Sequence, residues 1–247
     1  MSAPPLAGRV ALLTGASGAL GRHLAETIVK AGASIVACHW RSPLDTQSWS
    51  KALLHGQRVI GVQADLSRSD GVDRAFDEAL QLGGCDLLIN SASILNRDPF
   101  EKTSRQAMDA LVAINLISPM ACCQAALAQM RAKEGQGRCD IVNLLDVGGA
   151  FIPWKRGAAY CATRAALAML TRCLALECAP HIRVNAIAPG ILDLPPAPPM
   201  AALENIPMGR PGTVAELEAA LLFLLTGPAS MTGQILAVDG GRSARRR

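Results

Sequence analysis

Short, continuous apolar runs alternate with amphipathic stretches along the whole chain. Continuous runs are the pattern of strands covered on both faces, so they predict strands over Arg9–Thr14, Ser34–His39, Arg58–Gln63, Asp86–Asn90, Asp140–Leu145, Ile182–Ala188 and Gln234–Val238. Between them apolar residues recur at helical spacing, as at Leu20, Leu24 and Ile28. They predict helices over Gly18–Lys30, Asp70–Gln81, Ser104–Arg131 with a bend at Pro119, Ala158–Cys178 and Val214–Leu225. The alternation implies one doubly wound α/β domain, with a mostly parallel sheet of about seven strands and helices on both faces. The exception is Leu194–Pro199, whose four prolines make a stiff loop after the sixth strand. That is the carboxyl edge of the sheet, where open α/β folds bind ligands, so the loop is expected to act as a lid over substrate.

Composition narrows this picture without changing it. The chain has 247 residues, half of them hydrophobic and 18% charged, enough to bury a large core. Only 3% are aromatic and one is Tyr, so Ala, Leu, Val and Ile must build the core. The net charge of +4 includes Arg245, Arg246 and Arg247, and the basic tail over 242–247 is expected to be flexible. With no basic stripe interleaved with aromatics, nucleic-acid binding is not expected. The eight cysteines are scattered and neither they nor the four histidines show metal-ligand spacing. They read as small buried hydrophobes of a reducing compartment, with no metal. The start lacks the charged region of a signal peptide and the apolar run Ala219–Leu225 is too short for a bilayer. A cytoplasmic protein without a membrane partner is the expectation.

Chemistry first enters at Thr14-Gly15-Ala16-Ser17-Gly18-Ala19-Leu20-Gly21, between the first strand and the first helix. Glycines let a backbone approach a pyrophosphate, and the helix N-terminus offers it free N–H groups, which marks a Rossmann-type dinucleotide site. The second strand ends Cys38-His39-Trp40-Arg41-Ser42, with no acid before Asp45. A carboxylate there would hold the ribose hydroxyls of NAD, whereas a guanidinium and a hydroxyl suit the 2′-phosphate of NADP(H). The alternative is an ordinary surface arginine.

The glycine motif, Asn90-Ser91-Ala92-Ser93 and Tyr160-x-x-x-Arg164 together resemble the short-chain dehydrogenase/reductase family. The likeness extends through Asp65-Leu66, Asn115, Pro189-Gly190 and Asp239-Gly240-Gly241. Trp40-Arg41-Ser42, Val62–Ser67 and Asn143-Leu144-Leu145-Asp146 resemble its pteridine reductase branch, which has Asp in place of the usual catalytic Ser. The resemblance implies Tyr160 as proton donor, Asp146 and Arg164 as its partners, and Asn115 as the holder of a water. It also implies a cofactor site of Gly15, Ser17, Gly18, Leu20, Gly21, His39, Trp40, Arg41, Ser42, Asp65, Leu66, Asn90, Ser91, Ala92, Pro189, Gly190 and Ile191, shared with Tyr160 and Arg164. Ser93, Leu95, Trp154 and Leu194 would meet substrate, and the assembly would be a homotetramer.

Helical spacing sets Arg164 one turn from Tyr160 on the same face, where its charge is expected to lower the phenol pKa. No serine lies between Ser118 and Ser230, so Asp146 has no hydroxyl stand-in nearby. Its carboxyl suits a ring nitrogen; the alternative is a loop Asp capping the turn at Gly148-Gly149. Several positions depart from the family. Arg164 replaces Lys, Leu194 replaces Thr, Ala19 replaces a basic residue, and Ile94-Leu95 stand where the pteridine branch has an aromatic, leaving Phe100 or Trp154 to substitute. The implied function is NADPH-dependent reduction of a C=N or C=O bond in a pteridine-like heterocycle such as a dihydropterin or dihydrofolate. The alternatives are a carbonyl or 3-oxoacyl reductase and a non-catalytic NADP(H)-binding protein.

Overall fold

In the computed structural model, which describes residues 3–245 apart from 52, 55, 136, 197 and 198, the apolar runs form seven strands. They are β1 (Val10–Leu13), β2 (Ser34–His39), β3 (Val59–Gln63), β4 (Leu87–Asn90), β5 (Cys139–Leu144), β6 (Ile182–Pro189) and β7 (Ile235–Val238). Every neighbouring pair is parallel, in the order β3-β2-β1-β4-β5-β6-β7. The main helices are α1 (Ala19–Lys30), α2 (Ser69–Gln81), α3 (Arg105–Ala132), α4 (Ala158–Glu177) and α5 (Val214–Thr226).

Strand side chains alternate between two layers. Val10, Leu12, Val36, Cys38, Leu88 and Ile141 pack with Phe76 of α2 and Cys122 and Ala126 of α3. Ala11, Leu13, Ile35, Ala37, Ile89 and Val142 pack with Leu24 and Ile28 of α1 and Leu217 and Leu221 of α5. Each such burial stabilises the fold by about 1.5–3 kcal/mol for the larger side chains. Six of the eight cysteines are buried and all eight are free thiols, as expected of small hydrophobes. At the amino end of the sheet buried Asp140 meets Arg183 at 2.6 Å, Arg9 at 2.7 Å and Arg138 at 3.3 Å, tying the starts of β1, β5 and β6.

Strand order reverses at β1, which lies between β2 and β4. The helices that follow β1 and β4, α1 and α3, pack on opposite faces of the sheet, the arrangement that in open α/β folds leaves a ligand crevice outside the carboxyl ends of two such strands. Thr14 Oγ1 accepts from Ser91 N at 2.9 Å and Ala92 N at 3.0 Å, which fixes the two loops to each other.

The structure corrects one expectation of the fold. The irregularity in α3 is a wide π turn at Ala113–Ile117, ahead of Pro119 rather than at it. Pro119 has no N–H for the carbonyl of residue 115, and widening the preceding turn accommodates the loss. By length and composition α3 could cross a membrane, but its Leu111, Cys122, Cys123, Ala126 and Met130 are buried in the protein core. The described part of the basic tail begins with a turn. Arg242–Ala244 form a 3-10 turn, held by Asp239, which accepts from Gly241 N at 2.9 Å and Ser243 N at 2.6 Å. Arg246 and Arg247 lie outside the described residues, as do Ala197 and Pro198 of the proline loop.

Candidate active site

Apart from Tyr160 and Arg164, which lie on α4, the candidate cofactor residues fall in or beside loops leaving the carboxyl ends of β1 to β4 and β6. Gly15 has φ +71°, and a Cβ there would sit 2.8 Å from Ala92 Cα; a Cβ on Gly21 would sit 2.1 Å from Gly15 O. Glycine at both positions lets α1 start close to the strand. Gly18 precedes α1 without a side-chain cap, so the N–H groups of the first turn are left for a ligand, with Ser17 and Leu20 beside them. His39 Nδ1 lies 3.0 Å from Ser42 O, and Trp40, Arg41 and Ser42 are exposed past β2. Asp65 is occupied locally, accepting from Ser67 N and Oγ, and Leu66 is buried. Asn90 donates to Asn143 Oδ1 at 2.9 Å, while its own Oδ1 is buried and unpaired among the described residues. Gly190 packs on Asp239 and donates to Val238 O, and Ile191 O accepts from Gly212 N. An uncapped helix end, glycine-walled turns and an open buried acceptor fit a dinucleotide.

Asp146, just beyond β5, and Tyr160 and Arg164, on the first turns of α4, converge beside this crevice. Tyr160 Oη donates to Asp146 Oδ2 at 3.3 Å, and Arg164 Cζ lies 5.0 Å from the centre of the phenol ring. Arg164, only 2% exposed, also donates to Ser93 Oγ and to Leu144 O at 3.4 Å. Gly149 makes this approach possible: at φ +87°, its Cβ would lie 2.3 Å from Cys161 O. Asp146 Oδ1 accepts from Gly148 N at 2.8 Å, so the capping role and the contact with Tyr160 coexist on one carboxyl group.

Burial sets the acidities. It pushes Asp146 up to about 6, against the opposing pull of the Gly148 N–H and the Arg164 charge. Burial also raises Tyr160 above the ordinary phenol value, with Arg164 pulling the other way. The expected lowering of Tyr160 is therefore overturned: desolvation outweighs the neighbouring cation. Asn115 is wholly buried and its amide is committed, accepting from Ile94 N and donating to Ile94 O, each at 2.9 Å, and donating to Thr163 Oγ1 at 3.3 Å. It clamps the loop after β4 onto α4, rather than presenting its side chain to a water.

The family model described as Enoyl-(Acyl carrier protein) reductase matches residues 15–243. The chain is 34% identical to 3beta-hydroxysteroid dehydrogenase 1 of Eggerthella lenta, over 96% of this chain and 94% of that one. The chain belongs to the short-chain dehydrogenase/reductase family. Another relative in that family is the 2-dehydro-3-deoxy-D-gluconate 5-dehydrogenase of Escherichia coli K12, 32% identical over 99% of each chain. Among solved structures it is similar to the 3-ketoacyl-(acyl-carrier-protein) reductase of Brucella melitensis complexed with NADH, with TM-score 0.86, 30% identity and 96% and 99% of the two chains covered. It is also similar to a candidate 2-deoxy-d-gluconate 3-dehydrogenase of Agrobacterium tumefaciens with bound NADP, with TM-score 0.86, 31% identity and 99% and 100% covered. These proteins are named for steroid, sugar-acid and ketoacyl chemistry, so the likeness to the pteridine branch does not extend to them.

Within this short-chain dehydrogenase/reductase the four substrate candidates are not equivalent. Trp154 stacks on Tyr160, with ring centres 5.7 Å apart and planes 19° off parallel. Ser93 is drawn to Arg164, Leu95 is exposed, and Leu194 is half-buried at the start of the proline loop. Phe100 is 61% exposed, so Trp154 is the aromatic at the site. The sequence reading missed Thr14 as the tie between loops and Thr163 as the partner of Asn115. A hydroxyl just after a strand or one residue from the Tyr160 turn was the available signal.

Proposed function

We propose that the protein is an NADP(H)-dependent oxidoreductase that reduces a ketone to an alcohol. The observation that carries this reading is the convergence of Asp146, Tyr160 and Arg164 beside a crevice suited to a dinucleotide. When bound, the nicotinamide cofactor supplies the hydride. The first turn of α1 would take its pyrophosphate, Arg41 and Ser42 its 2′-phosphate, and Arg164 with Asn90 its nicotinamide end. Tyr160 Oη gives a proton to the oxygen of the reduced bond, and the Arg164 charge stabilises the phenolate left behind. Protonated Asp146 donates a hydrogen bond to the same oxygen, the task a serine hydroxyl has in most relatives. A C=N bond in a pteridine-like ring is the second reading, favoured by the carboxyl at 146, which can serve a ring nitrogen.

Exposed Val112, Ile117 and Met120 on α3 and Met169 and Leu176 on α4 support a homotetramer built on these helices. Sedimentation at micromolar concentration tests it, and a monomer refutes it. The functional test is NADPH and NADH consumption with hydroxyketone, ketoacyl and dihydropterin substrates. NADPH-dependent turnover of ketones supports the reading. Turnover of dihydropterin alone selects the second reading, and binding of NADPH without any turnover selects a non-catalytic protein.

A further inference from the structure

A cavity of about 620 Å³ lies against Trp154, and Arg97, Lys155, Asn205, Arg242 and Arg245 also line it. Arg97 Cζ lies 4.7 Å from the centre of the Trp154 ring and Arg242 Cζ 5.9 Å from it. The same indole stacks on Tyr160, so these charges stand one ring away from the proton donor. No Asp or Glu is among the described residues lining the cavity, and none of the four cations forms an ion pair among the described residues. Asp98, beside Arg97 in sequence, is engaged by Asn96 Nδ2 at 2.8 Å. Among the described residues Arg245 alone of the four has protein acceptors, Glu204 O at 3.0 Å and Asn205 Oδ1 at 3.3 Å. Gathering four like charges around one concave space is unfavourable unless something negative enters it. Guanidinium groups fixed on an aromatic face keep their N–H forks free for such a group.

We propose that this cavity holds a compact anionic group of the substrate, a carboxylate or a phosphate. The carbonyl reduced at Tyr160 then belongs to a small organic acid or phosphate ester. The chemistry rests on the reductase reading above, but anion binding in the cavity can be measured without it. Calorimetric titration of the full chain, with and without NADP⁺, would compare D-gluconate with D-glucitol and glucose 6-phosphate with glucose. At least one anion should bind about tenfold or more tightly than its neutral match at low ionic strength, the margin expected of a charge-assisted contact. Which pair shows the preference distinguishes carboxylate from phosphate. The preference should shrink with salt and be lost in the Arg97→Gln/Lys155→Gln double variant, whose two exposed positions carry little of the fold. In turnover, the kcat/KM ratio of a keto acid over its methyl ester should fall about tenfold in that variant, through KM. Equal binding of anions and neutral matches overturns the proposal, as does equal loss of both in the variant. A preference confined to acyl carrier protein or coenzyme A thioesters also overturns it. Anion-selective binding with no carbonyl reduction supports the cavity's role and refutes the reductase reading instead.

Discussion

Asp146 titrates at about 6, and ketone reduction should fade as it does. Burial carries its carboxyl up from the ordinary 3.8, a difference worth about 3 kcal/mol against the charged form. Between those values the folded chain keeps a proton that the unfolded chain has released. The resulting stability is complete below pH about 4 and is lost as pH rises past about 6. Asp146→Asn should abolish that slope in denaturant titrations. The catalytic consequence follows the same proton. On the proposed mechanism the carboxylic acid donates to the substrate oxygen below the titration, whereas above it the carboxylate can only accept and would oppose the charge forming there. At pH 8 about one molecule in a hundred is protonated, so up to about 10²-fold in rate is at stake, within the worth of one donor to an oxyanion. The assay is kcat/KM for a ketone from pH 5 to 8 with NADPH saturating. Asp146→Ser supplies a hydroxyl at every pH and should give a flat profile, which also controls for the cofactor's own phosphate, ionising near 6. A flat or rising wild-type profile, or the same inflection in Asp146→Ser, would refute the reasoning.

Tyr160→Phe should lower kcat by about 10²-fold or more while leaving NADPH affinity nearly unchanged, measured by turnover and by cofactor titration. Arg41→Ala should weaken NADPH by about 1.5–3 kcal/mol and NADH far less; equal losses would show that Arg41 does not read the 2′-phosphate. Asp140→Asn leaves three arginines around a neutral buried side chain and should destabilise the fold by about 3–5 kcal/mol in chemical denaturation, without a direct effect on cofactor binding.

The strands and main helices were legible because burial on both faces leaves uninterrupted apolar runs, and α1 and α2 keep their apolar residues on one stripe. The glycine turn and the spacing of Tyr160 and Arg164 were legible for a local reason, since one turn of helix fixes their neighbourhood. What was lost depends on contacts distant in sequence. Tyr160 is buried and stacked on Trp154, and no periodicity reports how deeply a phenol sinks. The π turn at Ala113–Ile117 answers to a missing proline N–H and to the seating of Asn115 against Ile94 and Thr163. The turn that opens the basic tail rests on Asp239, which accepts from backbone N–H groups that composition cannot reveal.

The two departures from the family pattern, Asp146 for Ser and Arg164 for Lys, make chemical sense as one change. After Tyr160 gives up its proton, the phenolate must regain one, and a lysine beside it can take part in the relay. Arginine keeps its proton throughout the working pH range and cannot. Asp146 is 3.3 Å from the phenol oxygen and titrates at about 6, so it can return the proton. On the proposed mechanism the charge stays at 164 and the mobile proton moves to 146. The expected signature is coupling. Arg164→Lys alone should change kcat little, since Asp146 still serves. Asp146→Ser alone should slow kcat, since neither neighbour can then reprotonate Tyr160. The Asp146→Ser/Arg164→Lys double variant, which restores the family pair, should recover about tenfold over Asp146→Ser, an interaction of about 1.4 kcal/mol. Additive effects in that cycle would mean that the residues act independently, and the arginine would then be no more than a fixed charge beside the phenol.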